Sequence, residues 1–258
     1  MIIKNDKKIG TAKVISNDLI PKGASICGRK LQSVGYITLH NTGLVDVKAN
    51  NFHRSLKREN ALKNGRQASW TFTVDDIEIY QEVPTSWETW HSGTSKGNKN
   101  SISIEMCMWS NKEKQRKTYD NSARLVAELL KMHNLGLDKV KQHYDWSKKN
   151  CPQYLREKKH GYDWKYFMDL VKKYYNASSS TTSTQSDATH EVTADVLNVR
   201  SGRGTEHKVV GTLKKGDKVA IWSFAKDSKG MEWGSFRYSF TPDIIGYVSK
   251  NYLKEIKK

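Results

Sequence analysis

Three residues of this chain have the chemistry to hold a divalent metal. His143 and Cys151 stand with seven residues between them in QHYDWSKKNCP, and His40 closes the run VGYITLH just before the turn NTG. Zinc takes about four ligands in a tetrahedron, accepts neutral imidazole and thiolate, and in a catalytic site keeps one position for water. His143 and Cys151 do not stand at the i, i+4 spacing of two ligands on one helical face, but a loop could fold both side chains toward one ion, with His40 aimed by the end of its strand. Packing offers a second account: a buried histidine, a surface histidine and a buried thiol with no ion among them. Spacing alone leaves both open.

The elements that would position these residues are legible in the hydrophobic pattern. VGYITLH (34–40), SWTFTVD (69–75), IEIYQEV (77–83) and SISIEMC (101–107) are β-branched and aromatic runs bounded by Gly, Asn, Asp or Pro, the mark of strands. Ala49, Phe52, His53 and Leu56 recur at helical spacing. NSARLVAELLKMHNLG (121–136) places Leu125, Val126, Leu129, Leu130 and Met132 on one helix face before a glycine stop. Asp163 is positioned to cap a last helix, DWKYFMDLVKKYY. Interleaved strands and helices predict an α/β lobe with a mixed central sheet flanked by helices.

The stretch 176–189, NASSSTTSTQSDAT, has no large apolar residue and reads as a Ser/Thr-rich linker. Beyond it, VTADVLNVR, KVVGTLKKGDKVAIW, MEWGSFRY and IIGYVSKNYL are short strand-like runs between glycine-containing turns, which predicts a small all-β barrel. The expected domains are therefore 1–175 and 190–258.

Of 258 residues, 36% are hydrophobic, enough for one medium and one small domain. The net charge is +17, with +13 on residues 1–175, +5 on 190–258 and −1 from Asp187 between them. So basic a chain favours an anionic partner: nucleic acid, a membrane surface or an anionic cell wall. No helix-turn-helix, zinc-finger or RNA-binding pattern accompanies the charge, which argues against nucleic acid. The opening MIIKNDKKIG lacks the apolar core of a secretory signal, and no run reaches the roughly 20 apolar residues of a membrane span, so neither signal peptide nor membrane insertion is expected. Three cysteines, Cys27, Cys107 and Cys151, argue against a disulfide-stapled module.

In order and spacing, ITLHNTG, WHSG, NSISIEMC and HYDWSKKNCP resemble the zinc-dependent N-acetylmuramoyl-L-alanine amidases of the type 2 group, over roughly residues 15–175. That group includes phage endolysins, bacterial autolysins and peptidoglycan-recognition proteins. The resemblance implies Zn2+ on His40, His143 and Cys151, Glu105 as the catalytic carboxylate and Lys149 as the basic residue that stabilises the oxyanion. It also puts His91, beside Trp90, in the substrate cleft. Relatives often read SWHF where this chain reads SWTF, so Thr71 stands at a substrate-contact position usually held by histidine. His53 is expected to be structural and Cys27 and Cys107 to be small core residues, while His133, His160, His190 and His207 receive no role.

Residues 190–256 resemble bacterial SH3-like domains through LNVRSG, VVGTLKKGDKV and GYVSKNYL, with Arg203 where relatives usually have proline. Trp222, Phe224, Trp233, Phe236, Tyr238 and Tyr247 could line a ligand groove or fill the barrel. Together the resemblances imply a peptidoglycan hydrolase that cuts between N-acetylmuramic acid and L-alanine, drawn to a wall rich in anionic polymers. An endolysin held in the host cytoplasm until release is the favoured setting. A bacterial autolysin and a non-catalytic peptidoglycan receptor are the alternatives.

Overall fold

A computed structural model describes residues 1–177, 188–240 and 243–256, and the chain divides into two compact units, Met1–Tyr175 and Asn176–Lys258. Most of the expected linker, 178–187, lies outside the described residues.

In the first unit the strands are β1 (Lys8–Ile9), β2 (Ala12–Ile15), β3 (Tyr36–Val45), β4 (Phe72–Val74), β5 (Glu78–Gln81), β6 (Ser101–Met108) and β7 (Val140–Gln142). They form one sheet in the order β1-β2-β5-β4-β6-β3-β7. β3 runs parallel to both β6 and β7, whereas β4 and β5 pair antiparallel, so the sheet is mixed. The helices are α1 (Ala49–Ala61), α2 (Ser95–Asn100), α3 (Lys112–Met132), α4 (His143–Ser147), α5 (Gln153–Arg156) and α6 (Trp164–Ala177).

Period-2 alternation divides the labour of the central strands. Ile37 and Leu39 on β3, Phe72 and Val74 on β4, and Ile102, Ile104 and Met106 on β6 enter one core with Leu125, Val126, Leu129 and Leu130 of α3 and Phe167 and Val171 of α6. Truncating any of these large side chains to alanine costs about 2–5 kcal/mol. The intervening residues, Thr38 and His40, Thr73, and Ser101, Ser103 and Glu105, take the opposite face. There α1 lays Ala49 and Phe52 against Tyr80, Cys107 and Trp109. Helices on both faces leave the polar row of the central strands to form a buried cleft floor.

Three local expectations need correction. β3 does not end at His40: its pairing with β6 continues through Asn41, shifts, and resumes at Val45 opposite Met108. His40 is thus aimed by strand alternation and not by a strand end. α3 begins at Lys112, nine residues before the expected start at Asn121, because Asn111 Oδ1 caps the Glu113 and Lys114 amides at 3.0 Å each. Its first turns bury polar side chains that serve Trp109: Gln115 Oε1 accepts from the Trp109 amide and Thr118 Oγ1 from the indole N–H. The helix stops before Gly136, where Asn134 adopts a left-handed φ of 54° and supplies the reversal usually given to glycine. Asp163 does cap α6, accepting the Tyr166 amide at 2.8 Å. Among the described residues no helix is long and apolar enough to cross a membrane.

The second unit is all-β. β8 (His190–Val192), β9 (Val196–Arg200), β10 (Val209–Lys214), β11 (Lys218–Val219), β12 (Ser223–Lys226), β13 (Glu232–Phe240), β14 (Asp243–Ser249) and β15 (Leu253–Glu255) build a five-stranded sheet, β10-β9-β14-β13-β12, and a three-stranded sheet, β11-β8-β15. Val192, Leu197, Val199, Leu213, Val219, Phe236 and Val248 fill it.

Candidate active site

His40 Nδ1 lies 3.0 Å from His143 Nδ1 and 3.8 Å from Cys151 Sγ, and the three donor atoms fall within 4.8 Å of one another. Zn–N bonds of about 2.0–2.1 Å and a Zn–S bond of about 2.3 Å in a tetrahedron require separations of about 3.3 and 3.6 Å. All three residues are buried.

Each donor arrives by a different route. His40 is carried on β3, and β7, paired parallel to β3 with Leu39 opposite Gln142, delivers His143 as the first residue of α4. After α4 the chain reverses at Lys148, φ 61°, and folds back so that the Tyr144 amide donates to the Cys151 carbonyl at 3.0 Å. Asn41 fastens this loop to the sheet. Its amide N–H donates to Cys151 Sγ at 3.4 Å, its side chain donates to the Met106 carbonyl, and its Oδ1 accepts the Tyr154 amide.

The electrostatics suit a cation. Burial, with His91 and His143 alongside, holds His40 well below the ordinary imidazole range, and burial brings His143 down to about 4. Both rings are therefore neutral near pH 7. Burial lifts the Cys151 thiol to about 12, so only a positive charge at the sulfur makes it a thiolate near neutrality. Two neutral imidazoles with their Nδ1 atoms facing one another beside a thiol fit a zinc ion.

Glu105 stands directly opposite His40 in the parallel register of β3 and β6. Its Oε2 is buried and has no hydrogen-bond partner among the described residues. Burial raises the carboxyl to about 8, against the pull of Lys149 and Arg66. The two adjacent lysines separate in space: the Lys148 ammonium sits over the Tyr144 ring, 5.0 Å from its centroid, whereas Lys149 lines the cleft with Glu105.

His40, Asn41, Trp90, His91, Glu105, His143, Lys149 and Cys151 all line this one cleft. Trp90 is held by a reciprocal pair with Ser69, whose hydroxyl accepts the Trp90 amide while the Ser69 amide donates to the Trp90 carbonyl. Thr71 is not brought in. It is buried with its hydroxyl 3.3 Å from Ser103 Oγ, because an enclosed hydroxyl must find a partner and Ser103 on β6 is the one beside it. Arg66, Ser69 and Trp70 also line the cleft and were not anticipated. Trp70 lies within the SWTFTVD run but before β4 begins, and it shares the parity of Phe72 and Val74 while packing on the opposite face with its indole donating to Thr73 Oγ1, so alternation gives no signal for it. Arg66 sits in a loop after α1 with no periodicity to mark it.

The profile of the N-acetylmuramoyl-L-alanine amidases (Amidase_2) matches residues 30–154, the segment that carries all of these cleft residues. The solved catalytic domain of XlyA is similar at 33% identity and a TM-score of 0.53, over 62% of this chain and 99% of that domain. The chain belongs to the N-acetylmuramoyl-L-alanine amidase family. The solution structure of the PlyG catalytic domain is similar at 29% identity and a TM-score of 0.52, covering 64% of this chain and 96% of that one. Among curated relatives, the amidase XlyA of Bacillus subtilis (strain 168) is 38% identical over 144 residues, 55% of this chain and 47% of XlyA. The amidase CwlH of the same organism is 29% identical over 192 residues, 72% of this chain and 70% of CwlH. The match thus spans less than half the length of XlyA.

Residues 195–254 match the bacterial SH3 domain profile. In this unit Trp233 and Phe236 are buried core, while Trp222 is 54% exposed. Arg200 organises the loop that follows its strand, donating from Nη1 to the carbonyls of Thr205 and His207 at 2.8 Å each. In the amidase unit His53 is structural, bridging Glu82 and Asp18. Cys107 is core, while Cys27 is only half-buried, with its sulfur against the Glu88 carbonyl.

Proposed function

We propose that this chain is a zinc-dependent peptidoglycan hydrolase that cleaves the amide between the lactyl group of N-acetylmuramic acid and L-alanine. The observation that carries the reading is the meeting of His40, His143 and Cys151 beside a buried, unpartnered Glu105 oxygen. His40 Nδ1, His143 Nδ1 and Cys151 Sγ would hold the ion, which when bound supplies Lewis acidity to water and to the amide carbonyl. Glu105 Oε2 accepts a proton from the attacking water and passes it to the leaving nitrogen of L-alanine as the C–N bond breaks. The Lys149 ammonium faces the negative charge that develops on the carbonyl oxygen, a stabilisation that requires it to be in place beforehand. Trp90 and His91 wall the cleft.

Family membership and the cleft together support this chemistry. The test is digestion of purified cell walls: loss of turbidity with release of free L-alanine amino termini, abolished by a chelator and restored by zinc. Mass spectrometry that found only glycan or stem-peptide cleavage would overturn it.

The basic excess and the SH3-like unit support an anionic wall as the surface on which the hydrolase works. A tethered wall-binding unit raises the effective concentration of the catalytic one. Deleting residues 190–258 should weaken binding to walls more than it slows cleavage of a soluble muramoyl-peptide. A setting in which the protein accumulates inside a host and acts after release is supported by likeness to a solved mutant endolysin from Bacillus subtilis, 33% identical and covering 62% of this chain. Its test is expression in the host cytoplasm, with lysis expected only when the membrane is permeabilised.

A further inference from the structure

The hydrogen bonds behind His40 form a chain whose proton positions can be counted from its ends. One end is the Gly97 carbonyl, an acceptor only, which takes the Ser101 hydroxyl proton at 2.8 Å. The other is the Trp146 indole N–H, a donor only, which gives to Thr38 Oγ1 at 3.0 Å. Thr38 in turn gives its proton to Ser101 Oγ at 3.0 Å. With its own proton committed to Gly97, Ser101 Oγ can only accept. Its remaining neighbour, His91 Nε2 at 3.1 Å, must therefore carry a hydrogen. A neutral His91 then presents a bare Nδ1, and that atom lies 3.0 Å from His40 Nε2. His40 Nε2 is left as the donor and His40 Nδ1 as a lone pair, turned toward His143 and Cys151.

The backbone around this relay is fixed. Asn98 Oδ1 accepts from the amides of His91 and Ser92 and from the Ser92 hydroxyl, at 3.0, 2.9 and 2.8 Å. Gly97 is required by proximity, since a Cβ there would stand 2.3 Å from Ser92 Oγ.

We infer that His91 is a positioning residue for the metal centre, which with Ser101 selects the Nε2–H tautomer of His40 and so commits its Nδ1 to the ion. This rests on the metal reading proposed above. Partners of metal-ligating histidines commonly contribute about 10- to 100-fold in metal affinity. Here the partner is another imidazole, whose own tautomer is set one bond further back by a serine.

The test is zinc affinity, measured on the full chain by competition with a chromophoric chelator, together with 15N NMR of the histidine rings in metal-free protein. His91→Leu should weaken zinc about 10- to 100-fold, and Ser101→Ala should weaken it in the same direction. His91→Asn, whose amide can accept from His40 and donate to Ser101, should restore affinity toward wild type, which a purely space-filling role would not predict. The rings of His40 and His91 should both read as Nε2–H. Zinc binding by His91→Leu as tight as wild type, or a His40 ring protonated on Nδ1, overturns the inference while leaving the metal site standing. Failure of the wild type itself to bind zinc overturns the metal reading, and this inference with it.

Discussion

The Asn41 amide donates to Cys151 Sγ at 3.4 Å, so the residue next to His40 on β3 also holds the sulfur that completes the cluster. Two of the three donors are thereby referred to one strand. The third, His143, follows the neighbouring strand β7 directly.

That arrangement sets the proton balance of metal binding. Near pH 7.5 both imidazoles are already neutral, with His143 brought down to about 4, while Cys151, lifted to about 12, still carries its proton. Zinc binding is expected to release about one proton per ion. Calorimetry in buffers of different ionisation enthalpy measures it, and Cys151→Ser should remove most of the release along with much of the affinity. A release near zero in the wild type would contradict the thiol-to-thiolate step.

Glu105→Gln keeps the shape of the side chain and removes the base. Amide cleavage, followed as new amino termini, should fall by about 10²- to 10⁴-fold. Zinc content should stay at the wild-type value, since Glu105 is not among the three donors.

The pH profile should respond to Lys149. Glu105 must be ionised to accept a proton, so activity climbs as pH rises through its pKa. Burial raises that pKa to about 8 and Lys149 works against the rise. In Lys149→Met the opposing charge is gone, and the acid limb of the rate profile should move to higher pH while the plateau drops. Arg66→Gln should move the limb in the same direction by less, because its influence on the carboxyl is the smaller. An unmoved limb in Lys149→Met would separate Lys149 from Glu105.

The fold carries its own buried charge pair beneath α1. His53 Nδ1 lies 2.7 Å from Glu82 Oε2, and Glu82 Oε1 accepts the Thr73 hydroxyl at 2.6 Å. Burial disfavours charge on His53, yet Glu82 and Asp18 outweigh it and hold the ring above its ordinary pKa. His53→Ala should cost about 3–5 kcal/mol in chemical denaturation by stranding the Glu82 carboxylate, and pairing it with Glu82→Leu should recover much of the loss. Zinc affinity should not change in either variant that remains folded.

Much of this architecture is written in short-range pattern. The alternation of Ser101, Ser103 and Glu105 with Ile102, Ile104 and Met106 names both faces of β6, and the apolar stripe of α3 names its buried side. The start of α3 was hidden because its buried positions are Gln115 and Thr118, placed there to satisfy Trp109 and not to shed water. β7, at three residues, is too short to show a period. Thr71 followed a family position, but its orientation depends on Ser103, a partner 32 residues away that no local spacing reveals. The residues behind His40 were likewise out of reach, since Ser101, Gly97 and Asn98 acquire their roles only when α2 is folded against His91.

The alternation along β3 has a further consequence. Whether a side chain meets solvent chemistry or the α3 core depends only on whether its position is odd or even within the strand. Loss of a single residue between Tyr36 and His40 would present Leu39 to the cleft and drive an imidazole into hydrocarbon. The strand can therefore absorb many substitutions, but its reading frame in space cannot slip by one.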